Sequence, residues 1–230
     1  MEKEMWLIWK QPTTRRRYKI GILTFDNEKY TFRYVDPEIN DAKQAGFSYF
    51  PGFKDICETY TSGKLFANIE TRLPNPSRAD YLQVLNSYDL EITSSKLEIL
   101  QATRGRLVTD NFEFVPSFDE NRIEFNIAGT IYSSDIKNYK RLIENNDKLL
   151  FELEPDNEYD KYAIKVILKK YDKTYHLGYV PRYYSQNIAG LLKENINYSA
   201  MVQKVNFDSK LRDEHINVFV KLIFNTGENK

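Results

Sequence analysis

Short β-rich runs recur at regular spacing through the second half of the chain, and that rhythm limits the fold more than any other feature. Residues 123–132, 149–153, 163–168, 174–179, 200–207 and 216–224 are rich in branched and aromatic side chains. Polar, turn-forming stretches separate them. Many short strands cannot bury their apolar faces singly, so the pattern predicts a sandwich or a barrel. One helix interrupts the series, with Ser185 as the expected cap and Ile188, Leu191 and Leu192 as its inward face.

The first half mixes periods. Residues 5–9, 18–25 and 30–35 read as strands, the last two joined by a hairpin turn at Asp26-Asn27-Glu28-Lys29. From Pro51 onward, Phe53, Ile56 and Tyr60 recur at three- and four-residue spacing and predict a helix. A second helix is expected from Asn75-Pro76, carrying Ala79, Leu82 and Leu85. A third is capped by Ser94 or Ser95, points Leu97 and Leu100 inward and closes at Gly105. Residues 106–108 and 112–115 return to strand character. The polar run Pro116-Ser117-Phe118-Asp119-Glu120-Asn121 marks the expected boundary, giving an α+β chain of two domains, 1–118 and 119–230.

Charge narrows the function. Lys and Arg total 33, Asp and Glu also 33, and both halves are close to neutral. Affinity for a phosphate backbone comes largely from cations, so any nucleic-acid site here must be a local patch that works by shape and stacking. The 17 Tyr and 14 Phe suit half-buried strands and base-stacking surfaces equally. The lone Cys57 excludes an intramolecular disulfide and a multi-cysteine zinc site, and His176 and His215 lack metal-ligand spacing. No metal or cofactor is expected. No apolar run reaches membrane-spanning length, and Met1-Glu2-Lys3-Glu4 does not resemble a signal peptide, so a cytoplasmic protein is expected.

Catalytic signatures fail on inspection. Gly46, Gly52 and Lys54 have the wrong spacing for a phosphate loop. The stretch beginning Asp156-Asn157-Glu158-Tyr159-Asp160 places Lys161 and Ile167 where a calcium loop needs Gly and Glu. Cys57 with His176 or His215 is the only conceivable nucleophile pair, and a solitary cysteine on a helix is usually packing. A binding protein without its own catalysis is expected.

The informative stretch runs Glu154-Pro155-Asp156-Asn157-Glu158-Tyr159-Asp160-Lys161-Tyr162-Ala163-Ile164-Lys165-Val166, followed later by Gly178-Tyr179-Val180-Pro181-Arg182. Pro155, Asp156 and Asn157 are turn chemistry, which leaves Tyr159 and Asp160 at the turn's exit. There they either shape the turn, with the carboxylate on local amides, or present a ring and a carboxylate to a ligand.

This stretch resembles the HIRAN family, whose pattern is Glu-Pro-x-Asn-x-Tyr-Asp-x-x-Ala-Ile-x-Val and then Gly-Tyr-x-Pro before a helix. The resemblance covers about residues 123–207. It implies an OB-like small β-barrel with a helix, and binding of single-stranded DNA or DNA ends. In a helicase-associated member, aromatic rings sandwich the terminal base of a 3′ end and an aspartate meets the terminal hydroxyl. By that resemblance Tyr132 and Tyr159 match stacking tyrosines, Asp160 matches the aspartate, and Arg182 falls where a phosphate contact is expected. Ile131 and Ser133 stand where that member has Arg and Tyr, so half of the sandwich and one phosphate contact are missing.

Residues 5–115 resemble the N-terminal subdomain of HipA-type proteins, through Trp6-Leu7-Ile8-Trp9, Ile20-Gly21-Ile22-Leu23, Tyr30-Thr31-Phe32-Arg33-Tyr34, Leu65-Phe66-Ala67-Asn68-Ile69 and Arg72-Leu73-Pro74. That resemblance implies an interaction module whose partner is a HipA-like kinase or a helix-turn-helix regulator. It supplies the alternative function, a non-catalytic component of a toxin–antitoxin or regulatory system. In the same half, Arg15, Arg16 and Arg17 follow Pro12 in a loop and are candidate phosphate contacts, although such a run is more commonly a solvated face.

Overall fold

A computed structural model describes residues 3–135, 142–207 and 216–225 of the chain. It divides into two compact units, Met1–Ser117 and Phe118–Lys230.

The first unit is built on an antiparallel sheet of β1 (Lys3–Lys10), β2 (Arg17–Asp26), β3 (Lys29–Tyr34), β4 (Tyr60–Ser62) and β5 (Phe112–Pro116), in the order β4-β3-β2-β1-β5. Asn27 and Glu28 both have positive φ, the backbone twist that a two-residue hairpin between β2 and β3 requires. Helices α1 (Glu38–Gln44), α2 (Ala67–Glu70), α3 (Tyr81–Asn86) and α4 (Lys96–Thr103) accompany the sheet. Leu7, Trp9, Ile20, Phe32, Phe50, Phe53, Ile69, Leu100 and Phe114 share its core. Ser95 caps α4 in a reciprocal box with Glu98, as its Ser-x-x-Glu spacing predicts.

Four expectations fail in this unit. The helix expected from Pro51 does not form, because Gly52 has φ +93 and Phe50 bridges back to Phe53. Phe53 then stacks on Phe32 at 4.3 Å and meets Tyr60 of β4 at 4.6 Å, so tertiary aromatic packing overrides the helical period. Residues 106–108 form no strand, since Arg106 turns to Glu113 and Val108 faces solvent. The segment around Asn75 is a turn that Asn75 Oδ1 holds through the Ser77 N–H, and α3 starts only at Tyr81. Cys57 is exposed and lies outside any helix, which removes the expected packing role.

The second unit holds β6 (Arg122–Asn126), a 3₁₀ turn (Thr130–Tyr132), β7 (Leu149–Leu153), β8 (Ile164–Lys170), β9 (Lys173–Tyr179), α5 (Arg182–Lys193), β10 (Tyr198–Asn206) and β11 (Asn217–Phe224). Two antiparallel sheets result, β10-β11-β6 and β7-β8-β9. Single bridges tie their edges: Ala128 to Tyr179, and Lys148 to Met201. Phe125, Ile127, Val166, Leu177, Val202 and Val220 are all buried in the core of this unit.

The strand expected over 123–132 stops at Asn126. Gly129 adopts φ +72 and starts the 3₁₀ turn that carries Tyr132. Ser185 is not the cap of α5. It lies inside the first turns, buried, with Tyr184, Ile188 and Ala189 on the same inward face, while Leu191 and Leu192 are half-buried. Gly178 sits at the Ala128–Tyr179 seam with φ +138, and a Cβ there would stand 2.5 Å from the Ala128 carbonyl oxygen. Only glycine lets the two backbones come this close.

Candidate nucleic-acid interface

The loop between β7 and β8 is fixed by its own side chains. Asn157 Oδ1 accepts the backbone N–H groups of Tyr159 at 2.9 Å and Asp160 at 3.1 Å, while its amide donates to Glu154 Oε2 at 2.6 Å. Glu154 in turn pairs with Lys165 on β8 at 2.8 Å. The Lys165 ammonium holds the Glu154 carboxyl below the usual carboxylate range, against a smaller opposing effect of burial. The loop is thus tied through Asn157 and Glu154 to the sheet.

Helix α5 clamps the same loop from the other side. Arg182 donates to the Tyr159 carbonyl at 2.6 Å, and the Ser185 hydroxyl donates to Asp160 Oδ2 at 2.7 Å. Asp160 Oδ1 accepts the Tyr162 N–H at 3.0 Å. The Tyr159 backbone is therefore pinned at its amide and its carbonyl, yet the residue is 77% exposed. A solvated ring on a fixed backbone is suited to stacking, because little main-chain freedom remains to be lost on binding.

Tyr132 reaches this end of the unit by another route. After Gly129, Thr130 Oγ1 donates to the Ile216 carbonyl at 3.1 Å and the Ser133 hydroxyl donates to the His176 carbonyl. Asp135 accepts the His176 N–H at 2.8 Å. The turn is thereby fastened along β9, and Tyr132 is 79% exposed. A Cβ placed on Gly129 would lie 3.8 Å from the Tyr179 ring and 3.9 Å from the Tyr132 ring, so the two rings flank one backbone position. Tyr179 stands opposite Lys165, the partner of Glu154, which connects the Tyr132 turn to the Tyr159 loop.

Of the residues singled out in the sequence, Tyr159, Asp160 and Arg182 come together at the β7–β8 loop, while Tyr132 stands on the separate turn beside Tyr179. Asp160 is half-buried and partly engaged, with one oxygen on a backbone amide and the other on Ser185. Arg182 acts first as a clamp on the Tyr159 carbonyl. Sequence reasoning missed Asn157 as the organiser of the loop and Ser185 as the partner of Asp160. The Asx-turn propensity of Asn157 was the available signal for the first, and nothing local marked the second. The β7–β8 loop also carries the exposed acids Asp156 and Glu158. Its fixed charge is not that of a phosphate-coating surface.

The three arginines of the first unit have separate fates. Arg16 is exposed and lies over the Tyr18 ring at 5.4 Å, Arg15 is part-exposed with positive φ, and Arg17 bonds to Glu113 at 3.3 Å. Glu113 is buried and also meets Arg106 at 2.8 Å and Arg104 at 3.7 Å. Burial pushes its carboxyl upward, but Arg106, Arg17 and Arg104 together overcome this and hold it well below the usual range. His176 belongs to the second unit and Cys57 to the first, while His215 lies outside the described residues. Burial pulls the His176 imidazole below its ordinary value, and its Nε2 contacts the Gly178 carbonyl at 3.0 Å. Among the described residues, no group of three His, Cys, Asp or Glu side chains converges on a metal position, and no helix is long and apolar enough to cross a membrane.

Comparison with known proteins bears on the second unit as a whole. Residues 121–222 match the family model of the HIRAN domain, placing a HIRAN domain with a strand-rich fold in the C-terminal half of the chain. Two solved structures are similar. The HIRAN domain of human HLTF is 16% identical, with a TM-score of 0.35 over 45% of this chain and 74% of that one. A protein from Lactobacillus plantarum is 22% identical, with a TM-score of 0.33 over 45% of this chain and 92% of that one. No curated protein matches.

Proposed function

We propose that the chain is a nucleic-acid-binding protein whose HIRAN domain engages single-stranded DNA or a DNA 3′ end at the rim formed by Tyr132, Tyr159 and Asp160. The observation that carries this reading is the Tyr159 ring, 77% exposed on a backbone held by Asn157 and Arg182. A base face is a flat partner that fits such a ring. The family match at residues 121–222 supports the same role, since HIRAN domains bind DNA. In this reading the two sheets, seamed at Ala128–Tyr179 and Lys148–Met201, act as an OB-like barrel, and the rim is its mouth. Tyr132 supplies a second ring, and Asp160 accepts a sugar hydroxyl with lone pairs that Ser185 and Tyr162 leave unused. The role is binding without catalysis.

The test is a fluorescence-anisotropy titration of the full chain against short single strands with free and with blocked 3′ ends. Wild type binds, and Tyr159→Ala weakens binding about 5- to 150-fold, the equivalent of one stacked base at about 1–3 kcal/mol. Equal affinity for free and blocked ends would leave strand binding and remove end capture. Absence of binding to every strand at low salt would sink the reading.

A further inference from the structure

Opposite the rim, the β8–β9 hairpin ends in the turn Lys170-Tyr171-Asp172-Lys173, and Tyr171 at its tip is 75% exposed. Both central residues have positive φ, 53° for Tyr171 and 58° for Asp172. Asn-Gly occupies such a turn with little strain, whereas an aromatic residue in the left-handed region is unusual. The fold therefore holds a bulky ring in solvent at a position where smaller residues fit better.

The surroundings of that ring are ordered and carry charges of both signs. Lys169 and Lys173 are exposed beside it. The Lys170 ammonium lies 5.8 Å from the ring centroid and is itself tied to the Leu142 carbonyl at 3.0 Å, Glu144 at 2.7 Å and Asp147 at 3.2 Å. Those acids neutralise Lys170 and anchor the tip, and Asp172 offsets one of the two remaining ammonium groups. A ring flanked by lysines on a fixed hairpin has the composition of a stacking platform for single strands.

Register connects the tip to the rim. Lys165 and Lys169 of β8 stand opposite Tyr179 and Thr174 of β9, on the face away from Val166, Leu168, Tyr175 and Leu177, and Ile167 between them is itself buried. Seven residues of strand separate the two ends by about 20 Å at roughly 3.3 Å per residue. That length falls within what one strand can cross on a single OB-type fold, where sites span about 4–16 nucleotides.

We infer that Tyr171, with Lys169 and Lys173, forms a second contact for single-stranded nucleic acid, reached only by strands long enough to run from the rim along the β8–β9 hairpin. This rests on the rim reading and extends it from an end contact to a tracked strand.

The experiment compares a labelled dinucleotide with an oligothymidylate of about 16 nucleotides, a length at the upper limit for one OB-type fold. Both are titrated with the full-length wild type and with Tyr171→Asn. Asparagine favours the left-handed turn, so the variant removes the ring without burdening the fold. Wild type favours the long strand. Tyr171→Asn loses roughly 5- to 150-fold on the long strand and nothing on the dinucleotide. The pair Lys169→Gln and Lys173→Gln makes the salt slope of long-strand binding shallower by about 1.4, at about 0.7 per phosphate. Unchanged long-strand affinity in Tyr171→Asn, or an equal loss on both ligands, overturns the tip contact and leaves the rim reading standing. Wild type that binds neither ligand overturns both.

Discussion

The Ser185 hydroxyl donates to Asp160 Oδ2 at 2.7 Å, and with the Arg182 bond to the Tyr159 carbonyl it ties helix α5 to the loop that displays Tyr159. The two residues are far apart in sequence, and Ser185 is almost completely buried. The bond sets the direction of the carboxylate as well as its position.

Removing it with Ser185→Ala leaves a carboxylate oxygen without its donor in a half-buried place. A loss of about 1.5–3 kcal/mol in unfolding free energy is expected, as for a hydrogen bond to a charged group. Urea denaturation of the variant checks this. A change below about 0.3 kcal/mol would show that water replaces the hydroxyl at no cost.

Gly178→Ala meets two penalties at once. Its φ of +138 is strained for any side chain, and the new methyl would press on the Ala128 carbonyl oxygen at 2.5 Å. A destabilisation of about 3 kcal/mol follows, close to the upper range for a single strained position. Thermal unfolding would register it as a large drop in Tm, and wild-type stability would contradict the close approach.

Glu113 predicts an acid limit for the first unit. Its carboxyl is held below the ordinary range by Arg106, Arg17 and Arg104, so the folded state binds its proton less readily than the unfolded chain. The stabilisation is then complete above the unfolded glutamate value of about 4.3 and is lost as pH falls through that value towards the lower folded one. Glu113→Gln should cost about 3–5 kcal/mol at neutral pH by removing the buried carboxylate that Arg104, Arg106 and Arg17 share. It should also flatten the acid limb of the stability profile. An unaltered limb would assign acid sensitivity to other carboxylates.

The exposed acids beside the Tyr159 ring oppose a phosphate chain. Neutralising them with Asp156→Asn and Glu158→Gln should raise single-strand affinity roughly twofold to fivefold at low ionic strength, in keeping with the small worth of exposed charges. The gain should fade in about 1 M salt, where screening acts within roughly 3 Å. A gain that persists at high salt would mean that the loop had changed shape.

Strand positions in the second unit were legible because alternation and turn chemistry are local signals. The hairpin at Asn27-Glu28 and the Ser95–Glu98 cap were legible for the same reason. What the sequence hid was settled at long range. Phe53 follows Phe32 and Tyr60 instead of its own helical period. Arg17 is claimed by Glu113, which lies in another strand, so the arginine run does not act as one patch. At the rim, the Tyr159-Asp160 pair was visible from its motif, while the clamps from Arg182 and Ser185 depend on where α5 packs.

The seam at Ala128 and Tyr179 has a bearing on motion. Tyr132 follows one side of it by four residues and Arg182 follows the other by three, so each half of the rim hangs from its own side of the seam. Fraying there would carry the Tyr132 ring away from the helix that steadies Tyr159. The grip on a strand would then be gated by the breathing of two reciprocal amide bonds, and slow amide-proton exchange at Ala128 and Tyr179 would accompany an occupied mouth.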